Sequence, residues 1–386
     1  MYQNKYLIKR ISNIVFGFLL LTSFNLALAA MPIPAPPDVA AKNYLLIDFA
    51  SGKVLAEKNA DTQIEPASIT KLMTAYVVYK ELAQDRLFLE DMVEISEKAW
   101  RMGGSRMYLE VDSKVSVHDL LKGLIIQSGN DASVALAEHV AGTEDAFVQL
   151  MNQYAVELGM NNTNFMNSTG WPDKQHLTTA RDIAKLAKAL IAEFPERYVW
   201  YSEKEFTYNN IKQYNRNKLL WKDESVDGLK TGHTDSAGYC LVSSAVRSDM
   251  RVISVVLGTD SKKARASVSQ AVLNYGFRFF ESHTLYDESE VLSRPRVWNG
   301  EFETLTVGLS DALAVTIPRG AYDDLDATMD IDKNIEAPIA KGQQVGVVKI
   351  SLNGEMLQSV PLVALETINE GSLFQMAKDY ILRLIN

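Results

Sequence analysis

The chain has 386 residues, of which 47% are hydrophobic and 23% are charged, and its formal net charge at pH 7 is −9. This length is enough for about two domains, and this composition is that of a globular protein with a substantial hydrophobic core. The acidic balance leaves no electrostatic basis for binding nucleic acid, and the single cysteine, Cys240, excludes an internal disulfide.

Residues 1–30 have the layout of a secretory signal peptide. Lys5, Lys9 and Arg10 precede an apolar run that ends in small residues, as a cleavage site requires. The alternative is an uncleaved membrane anchor, because the run is nearly long enough to span a bilayer, but polar residues within it favour cleavage. Loss of the segment would change the net charge from −9 to −12 and leave the proline-rich residues 31–39 as a leader. We therefore expect an exported protein.

Residues 40–281 are predicted to form one domain. Residues 44–57 favour a β-hairpin around Gly52, and residues 68–82, 118–158 and 178–190 carry apolar residues at helical spacing. Residues 161–174 form a long polar loop between the last two of these stretches, and Gly103-Gly104-Ser105 indicate a mobile loop. Strands follow Phe206, including the apolar runs 239–246, which contains Cys240, and 251–257, and a last helix spans 264–280. We expect Cys240 to be a small core residue. The order of the elements predicts an α/β (α+β) domain in which helices cover a sheet.

The pattern changes near His283 to short strands separated by glycines. It predicts a small all-β domain over residues 284–368 that has no catalytic constellation of its own. Its strands are predicted at 304–307, 313–317, 325–331, 344–352 and 357–363. Residues 370–386 predict a terminal amphipathic helix, which either docks on the β domain or lies in a membrane interface.

Ser68 and Lys71 lie three residues apart in a segment that follows Pro66 and has helical spacing. If Ser68 opens a helix, the two side chains face the same side, and the lysine can act as a base for a serine nucleophile. The helix dipole would also favour an oxyanion formed beside the serine. The pattern alone is weak, because a capping serine followed by a solvated lysine is common.

Two further short motifs complete a set with this pair. Ser128-Gly129-Asn130 lies between two predicted helices, where a hydroxyl and an amide can point into a cleft. Lys230-Thr231-Gly232 lies on a late strand, where the lysine and the threonine can bind a carboxylate and the glycine lets a substrate approach. Each motif has an ordinary structural explanation. Their joint occurrence in this order is typical of penicillin-interacting serine enzymes.

Competing chemistries lack their motifs in this sequence. It contains no Gly-x-Ser-x-Gly elbow and no His-Glu-x-x-His motif. The five histidines show no metal-ligand spacing. We therefore expect neither a metal nor a cofactor.

These motifs and the stretches around them resemble the low-molecular-mass penicillin-binding proteins that are D-alanyl-D-alanine carboxypeptidases, most closely the penicillin-binding protein 5/6 group of Gram-negative bacteria. The resemblance covers nearly the whole chain, and its most specific stretches are Pro66–Lys71, Gln127–Ala132, Val226–Asp235 and Tyr275–Glu281. It implies a penicillin-binding/serine β-lactamase-like catalytic domain that removes D-alanine from peptidoglycan pentapeptide stems and is inhibited by β-lactams. It also implies peripheral attachment to the periplasmic face of the inner membrane through the terminal helix.

The resemblance further implies a role for each motif residue. Ser68 would attack the peptide bond with Lys71 as a neutral general base, whose pKa would be lowered by burial and by Lys230 nearby. Ser128 would relay a proton to the leaving D-alanine with help from Lys230. Asn130 would hold the substrate or Lys71.

The resemblance likewise implies how the substrate is held. The backbone N–H groups of Ser68 and His233 would form the oxyanion hole. Arg265 corresponds to the family position that follows the strand ending at Gly258. The residues implied in binding the substrate and its terminal carboxylate are Lys230, Thr231, Gly232, Arg265 and Arg216.

Three other functions remain as alternatives. A serine β-lactamase would share the acylation step, but its class A form expects Ser-Asp-Asn, whereas residue 129 is glycine and no deacylating glutamate stands out in residues 161–177. An endopeptidase that cuts D-alanyl cross-links would use the same residues. A non-catalytic scaffold, in which the β domain recruits partners, is opposed by the complete set of catalytic residues.

Overall fold

The computed structural model describes residues 33–385, so the predicted signal peptide and the first two residues of the leader lie outside the described residues. Residues 33–39 have no regular secondary structure but are held against the first domain. The carbonyl oxygen of Pro34 accepts a hydrogen bond from the Tyr275 hydroxyl (3.0 Å), and that of Pro37 accepts one from the Tyr44 hydroxyl (3.4 Å). This part of the leader is therefore bonded to the domain.

Residues 43–279 form a domain of mixed strands and helices. Its strands are β1 (Asn43–Asp48), β2 (Val54–Lys58), β3 (Met92–Glu94), β4 (Lys114–Ser116), β5 (Glu205–Tyr208), β6 (Ile211–Tyr214), β7 (Val226–Thr234), β8 (Gly238–Arg247) and β9 (Met250–Thr259). Its α-helices are α1 (Lys71–Ala83), α2 (Glu97–Trp100), α3 (Val117–Lys122), α4 (Asn130–Ala141), α5 (Glu144–Glu157), α6 (Ala180–Glu193), α7 (Pro195–Tyr198) and α8 (Lys262–Phe279).

A five-stranded antiparallel sheet with the order β2-β1-β9-β8-β7 forms the centre of this domain. The predicted hairpin near the start of the domain thus pairs with its last strand. Strand β7, which carries Lys230-Thr231-Gly232, is left at the edge of the sheet. The sheet therefore presents this motif on a strand that has one side free for a ligand.

Strand β9 is buried on both faces, which explains its continuous apolar sequence. Ile253 and Val255 belong to the core that contains α1, α4 and α6, whereas Val252 and Val256 pack in the core beneath α8. A sheet covered on both faces needs apolar residues at successive positions. Cys240 in β8 is fully buried in the first of these cores, and burial raises the pKa of its thiol to about 11.

From residue 280 onward the chain forms short strands, which include those predicted near 313–317, 325–331, 344–352 and 357–363 and three that were not predicted, whereas the strand predicted at 304–307 is present only at 307–308. The strands are β10 (Phe280–Tyr286), β11 (Val297–Trp298), β12 (Val307–Gly308), β13 (Leu313–Pro318), β14 (Leu325–Ile331), β15 (Ile335–Glu336), β16 (Gln344–Leu352) and β17 (Glu355–Ala364). A four-stranded sheet, β12-β17-β16-β14, and the pairs β10–β13 and β11–β15 enclose a separate core. The two domains touch where Lys53 Nζ donates to Thr316 O (3.0 Å) and Ser282 Oγ donates to Asp48 Oδ2 (3.2 Å).

The last helix, α9 (Leu373–Ile385), docks on the β domain through its polar residues. The carboxylate of Asp379 is buried, and it accepts hydrogen bonds from Arg296 Nη2 (2.8 Å) and from the backbone N–H of Asn299 (2.7 Å). Lys378 Nζ donates to Glu303 Oε1 (2.6 Å) farther along the same contact. The helix is thus attached by the face that an isolated amphipathic helix would turn to water.

Four apolar side chains of α9 point away from the protein. Leu373, Phe374, Tyr380 and Ile381 are 86%, 82%, 67% and 57% exposed. The helix can therefore dock on the β domain and still present an apolar face to a membrane interface. From the sequence alone, these two positions were alternatives. In the part of the chain that the structure describes, no helix has both the length and the apolar character needed to cross a bilayer.

Candidate active site

Ser68 lies in a 3₁₀ turn, Ala67–Thr70, that leads directly into α1. It does not open the α-helix as predicted, because the helix begins at Lys71. The two side chains still meet, with Lys71 Nζ 3.1 Å from Ser68 Oγ. The preceding residue, Ala67, is buried with a φ of +48°, a conformation that L-residues rarely adopt and that the surrounding packing must hold.

Lys71 is fully buried, and three oxygen atoms surround its Nζ atom. Besides Ser68 Oγ, they are Asn130 Oδ1 at 2.7 Å and the carbonyl oxygen of Thr169 at 2.6 Å. A neutral amine has two N–H groups and one lone pair. Because the two carbonyl oxygens can only accept, they bind both N–H groups and leave the lone pair for the Ser68 hydroxyl. This is the arrangement of a general base beside its nucleophile.

Asn130 begins α4, and backbone groups fix both ends of the residue. Its Nδ2 donates to Gly103 O (2.7 Å), which sets the amide with Oδ1 toward Lys71, and its backbone N–H donates to Ser105 O (2.7 Å). The buried carboxylate of Asp131 accepts hydrogen bonds from three further backbone N–H groups, those of Met107, Tyr108 and Leu109. The segment 103–109, which contains the predicted mobile loop Gly103-Gly104-Ser105, is therefore bonded to the start of α4.

Ser128 lies between a π-helical turn, Gly123–Gln127, and α4, with a φ of +66°. Its side chain is buried, and its Oγ atom has no hydrogen-bond partner among the residues that the structure describes. A buried hydroxyl without a partner costs free energy, and among the unpartnered buried hydroxyls of the described residues this one borders the cleft. This oxygen is available to a molecule that enters the cleft.

Strand β7 passes beside the Ser68 turn. A Cβ atom at Gly232 would lie 3.0 Å from Pro66 O and 3.2 Å from the backbone nitrogen of Ile69, so the close approach favours glycine. Thr231, Gly232 and His233 line the cleft next to the nucleophile. As an edge strand, β7 turns alternate backbone N–H and C=O groups away from the sheet.

Burial lowers the pKa of both active-site lysines. It lowers the pKa of Lys71 to about 7, with Arg216 adding to the effect and Asp131 opposing it. Burial, and after it Lys71, Arg216 and Arg265, hold the pKa of Lys230 well below its usual value. We expected Lys230 to act as the cation that lowers the pKa of Lys71. The two lysines lie close enough to disfavour each other's charge, and Arg216 lowers the pKa of both.

Two arginines give the cleft a positively charged wall. Arg265, in the first turn of α8, is buried, and its Nη1 donates to Gly232 O (3.2 Å). Burial lowers its pKa to about 10, which leaves the guanidinium charged at neutral pH. Arg216 lines the same cleft from the segment that follows β6. Two guanidinium groups near the Thr231 hydroxyl suit the binding of a carboxylate.

The structure brings all ten predicted site residues to one cleft of about 1090 Å³. Eight of them line it, and two, Lys71 and Lys230, are buried beside it. The lining residues are Ser68, Ser128, Asn130, Arg216, Thr231, Gly232, His233 and Arg265. Within residues 33–385, no group of three or more His, Cys, Asp and Glu side chains could hold a metal ion.

Sequence reasoning missed Thr169 and Gly170. Thr169 acts through its backbone carbonyl, which no motif marks. Gly170 has a φ of +82°, and a Cβ atom there would lie 1.8 Å from the carbonyl oxygen of Ala67. Position 170 therefore has room only for glycine. A glycine in a polar loop is too common for this requirement to be recognised from sequence.

A serine beside a buried lysine whose pKa is lowered, next to an open edge strand, is the arrangement expected of the penicillin-interacting serine enzymes. Family comparisons agree. A family model described as D-alanyl-D-alanine carboxypeptidase matches residues 30–261, and one for the C-terminal domain of penicillin-binding protein 5 matches residues 280–370. The chain belongs to the D-alanyl-D-alanine carboxypeptidase family.

Individual relatives span nearly the full chain. D-alanyl-D-alanine carboxypeptidase DacC of Escherichia coli K12 is 45% identical over 364 residues, which cover 92% of this chain and 91% of the relative. DacA of Haemophilus influenzae is 40% identical over 384 residues, 97% of this chain and 98% of the relative. The crystal structure of penicillin binding protein 5 from Haemophilus influenzae matches with a TM-score of 0.84 at 42% identity, covering 87% of this chain and 100% of that chain.

The family resemblance, the fold class and the kind of enzyme that were inferred from the sequence are therefore confirmed. The protein is a serine-type carboxypeptidase with a penicillin-binding-protein catalytic domain. An all-β C-terminal domain follows it, and α9 ends the chain.

Proposed function

We propose that the protein removes the terminal D-alanine from peptidoglycan pentapeptide stems through an acyl-enzyme on Ser68. The observation that carries the proposal is the position of Lys71 Nζ between Asn130 Oδ1 and Thr169 O, which leaves its lone pair for Ser68. In the first step, Ser68 Oγ attacks the carbonyl carbon of the penultimate D-alanine while its proton passes to Lys71 Nζ. No cofactor takes part in this scheme.

The backbone N–H groups of Ser68 and His233 stabilise the oxyanion that forms in this step. Support comes from the path of β7, which runs within van der Waals contact of the Ser68 turn and has its outer side free. Preorganised N–H donors of this kind stabilise a developing negative charge without further rearrangement.

Ser128 then delivers the proton that the leaving D-alanine needs. The hydroxyl has no partner among the described residues, and Lys230, whose lowered pKa favours a neutral amine, lies close enough to Lys71 for each to affect the other's charge. The proton gained by Lys71 passes through these groups to the amine nitrogen, and the C–N bond breaks. A water molecule next attacks the ester, Lys71 takes its proton, and Ser68 is restored.

Thr231, Arg216 and Arg265 hold the terminal carboxylate of the substrate. Their hydroxyl and guanidinium groups line the cleft on the β7 side of Ser68, where the C-terminal end of the stem would lie. This recognition favours a free D-alanine carboxylate and hence carboxypeptidase activity. β-Lactams carry a carboxylate in a similar place, and we expect them to acylate the same serine.

The first rival function, β-lactam hydrolysis, would require a carboxylate that activates the deacylating water. Asp173 is the acidic residue of the segment 161–177, and it is exposed and accepts a hydrogen bond from the backbone N–H of Gln175 (2.7 Å). The nearby Glu144 is engaged by Lys98 and by Ser168. We therefore expect bound penicillin to persist for minutes rather than seconds.

Product analysis tests the proposed reaction and separates it from endopeptidase activity. The purified protein, incubated with monomeric pentapeptide muropeptides, should release free D-alanine and leave tetrapeptide stems, as measured by liquid chromatography and mass spectrometry. Cross-linked dimers supplied in a parallel reaction should lose only their terminal D-alanine. Conversion of the dimers to monomers without release from pentapeptides would assign the site to the endopeptidase instead.

We further propose that the enzyme is exported and attaches peripherally to the periplasmic face of the inner membrane through α9. The four exposed apolar side chains of the helix support this attachment, since they form a surface that water disfavours. Their docked polar face leaves the opposite face free to enter the interface between headgroups and acyl chains.

Deletion of residues 372–386 is expected to move most of the protein from the membrane fraction to the soluble periplasmic fraction. The truncated enzyme should retain its penicillin labelling, because none of the residues around Ser68 belongs to α9. The measurement is cell fractionation followed by immunoblotting. A matched control is Met329→Gln, which removes an exposed apolar side chain from β14 and should leave the distribution unchanged. Retention of the truncated protein in membranes would contradict the proposed anchor.

A further inference from the structure

Asn167 lies two residues before Thr169, and four hydrogen bonds converge on its side-chain oxygen. Asn167 Oδ1 accepts from the backbone N–H groups of Thr169 (3.2 Å), Gly170 (2.8 Å) and Trp171 (2.9 Å), and from the Thr169 hydroxyl (3.0 Å). Its Nδ2 donates to Trp171 O (3.0 Å). One amide side chain therefore holds the conformation of the segment 167–171.

This arrangement sets the direction of the Thr169 carbonyl. The carbonyl of Thr169 and the N–H of Gly170 belong to one peptide unit, which is trans. In a trans peptide the two groups point in opposite directions. The N–H of Gly170 points to Asn167 Oδ1 (2.8 Å), so the carbonyl of Thr169 is directed away from Asn167. Lys71 Nζ lies 2.6 Å from this carbonyl oxygen.

The same segment also supports the second acceptor of Lys71. The indole of Trp171 lies on the backbone of the loop at Gly103 and Gly104, where added Cβ atoms would be 3.4 and 3.5 Å from the ring. Gly103 O in turn accepts the hydrogen bond from Asn130 Nδ2. Both carbonyl oxygens that orient Lys71 thus depend on the conformation that Asn167 imposes.

We propose that Asn167 is a positioning residue for the reaction at Ser68, because it aims the Thr169 carbonyl at Lys71 and so directs the lysine's lone pair. The inference rests on the proposed function in that it takes Lys71 as the base. The hydrogen bonds of the Asn167 side chain, within the described part of the chain, all go to residues 169–171, so it acts only through Thr169 and its neighbours. The role requires a planar group with an acceptor oxygen at this distance from the backbone.

The test measures the rate of acylation by a fluorescent penicillin separately from the affinity of the initial non-covalent complex. Asn167→Ala should slow acylation by about 10- to 100-fold, as small displacements of a base do, while the initial affinity is unchanged. Asn167→Asp keeps an oxygen for the same three N–H groups. The added negative charge favours the protonated form of Lys71, but at alkaline pH the lysine is neutral in any case. There the aspartate variant should acylate at close to the wild-type rate.

Asn164→Ala is the matched control. It removes a side-chain hydrogen bond to Gln175 O (2.9 Å) from the same loop without touching the Thr169 peptide, and it should acylate like the wild type. The proposal is overturned if Asn167→Ala acylates at the wild-type rate, or if acylation and initial affinity fall together. It is also overturned if Asn167→Asp acylates at alkaline pH as slowly as the alanine variant. This second comparison keeps the test valid even if the alanine variant is unstable.

D-Alanine release by the wild type is measured in parallel. Normal acylation by penicillin without release from pentapeptides would refute the proposed substrate and leave the role of Asn167 standing. Normal D-alanine release by the wild type together with wild-type acylation by Asn167→Ala would support the proposed substrate and refute the role of Asn167. The two failures are therefore distinguishable.

Discussion

Replacing Ser68 by alanine is expected to abolish both D-alanine release from pentapeptides and covalent labelling by penicillin. The substitution removes the only hydroxyl toward which the lone pair of Lys71 is directed, because Asn130 and Thr169 occupy the two N–H groups of the amine. Ser128 cannot take over, since no base contacts its Oγ atom among the described residues. We expect a loss of about 10⁴-fold or more, as for nucleophiles of other serine hydrolases.

The measurements are mass spectrometry of the released amino acid and gel detection of a fluorescent penicillin. Ser351→Ala is a suitable control, because it removes another hydroxyl, from β16 of the C-terminal domain, which contains none of the site residues. It should retain full activity. Continued release of D-alanine by the purified Ser68→Ala protein would show that the nucleophile is misassigned.

Replacing Lys71 by methionine is expected to slow acylation by about 10²- to 10⁴-fold, the usual contribution of a general base. Methionine is of similar length and apolar, so it can fill the buried site without an unpaired charge. The nucleophile and the proposed oxyanion hole remain in place. The initial affinity for penicillin should therefore change little, and stopped-flow fluorescence can separate the two quantities.

The pH dependence of acylation identifies the lysine more specifically. Because the pKa of Lys71 is lowered to about 7, the ammonium form predominates below that pH and has no lone pair to accept the serine proton. The wild-type rate should fall about tenfold for each pH unit below pH 7 and level off above it. The methionine variant should lack this acidic limb. A limb that persists unchanged in the variant would assign the titration to another group.

The fold class and most elements could be predicted because they depend on local patterns. The strands Leu325–Ile331 and Gln344–Leu352 have the predicted bounds, since alternating residues and flanking glycines mark their ends. The apolar run in β9 reflects burial on both faces. The motif residues could likewise be named, because serine, lysine and asparagine act there through their side chains.

Other parts of the site depend on three-dimensional contacts that leave no local pattern. Ala67 adopts a φ of +48° directly before Ser68 and lies against Gly170, a contact between residues about a hundred positions apart. The Thr169 carbonyl is a backbone group, which every residue possesses. The contribution of Arg216 to the lowered pKa of Lys71 depends on burial and distance, and neither is encoded by spacing along the chain.

In the proposed membrane-attached state, the bonds between α9 and the β domain would set the height of the catalytic domain above the lipid surface. A helix on a loose linker would let the catalytic domain sample many heights above the lipid surface. Here Asp379 is bonded to Arg296 and Asn299, and Lys53 bonds the catalytic domain to the β domain at Thr316. In an anchored molecule, these contacts would hold the active site at a nearly fixed distance from the lipid surface. The enzyme would then act on stems within a narrow layer of the wall as it diffuses laterally. Loosening either contact would broaden that layer.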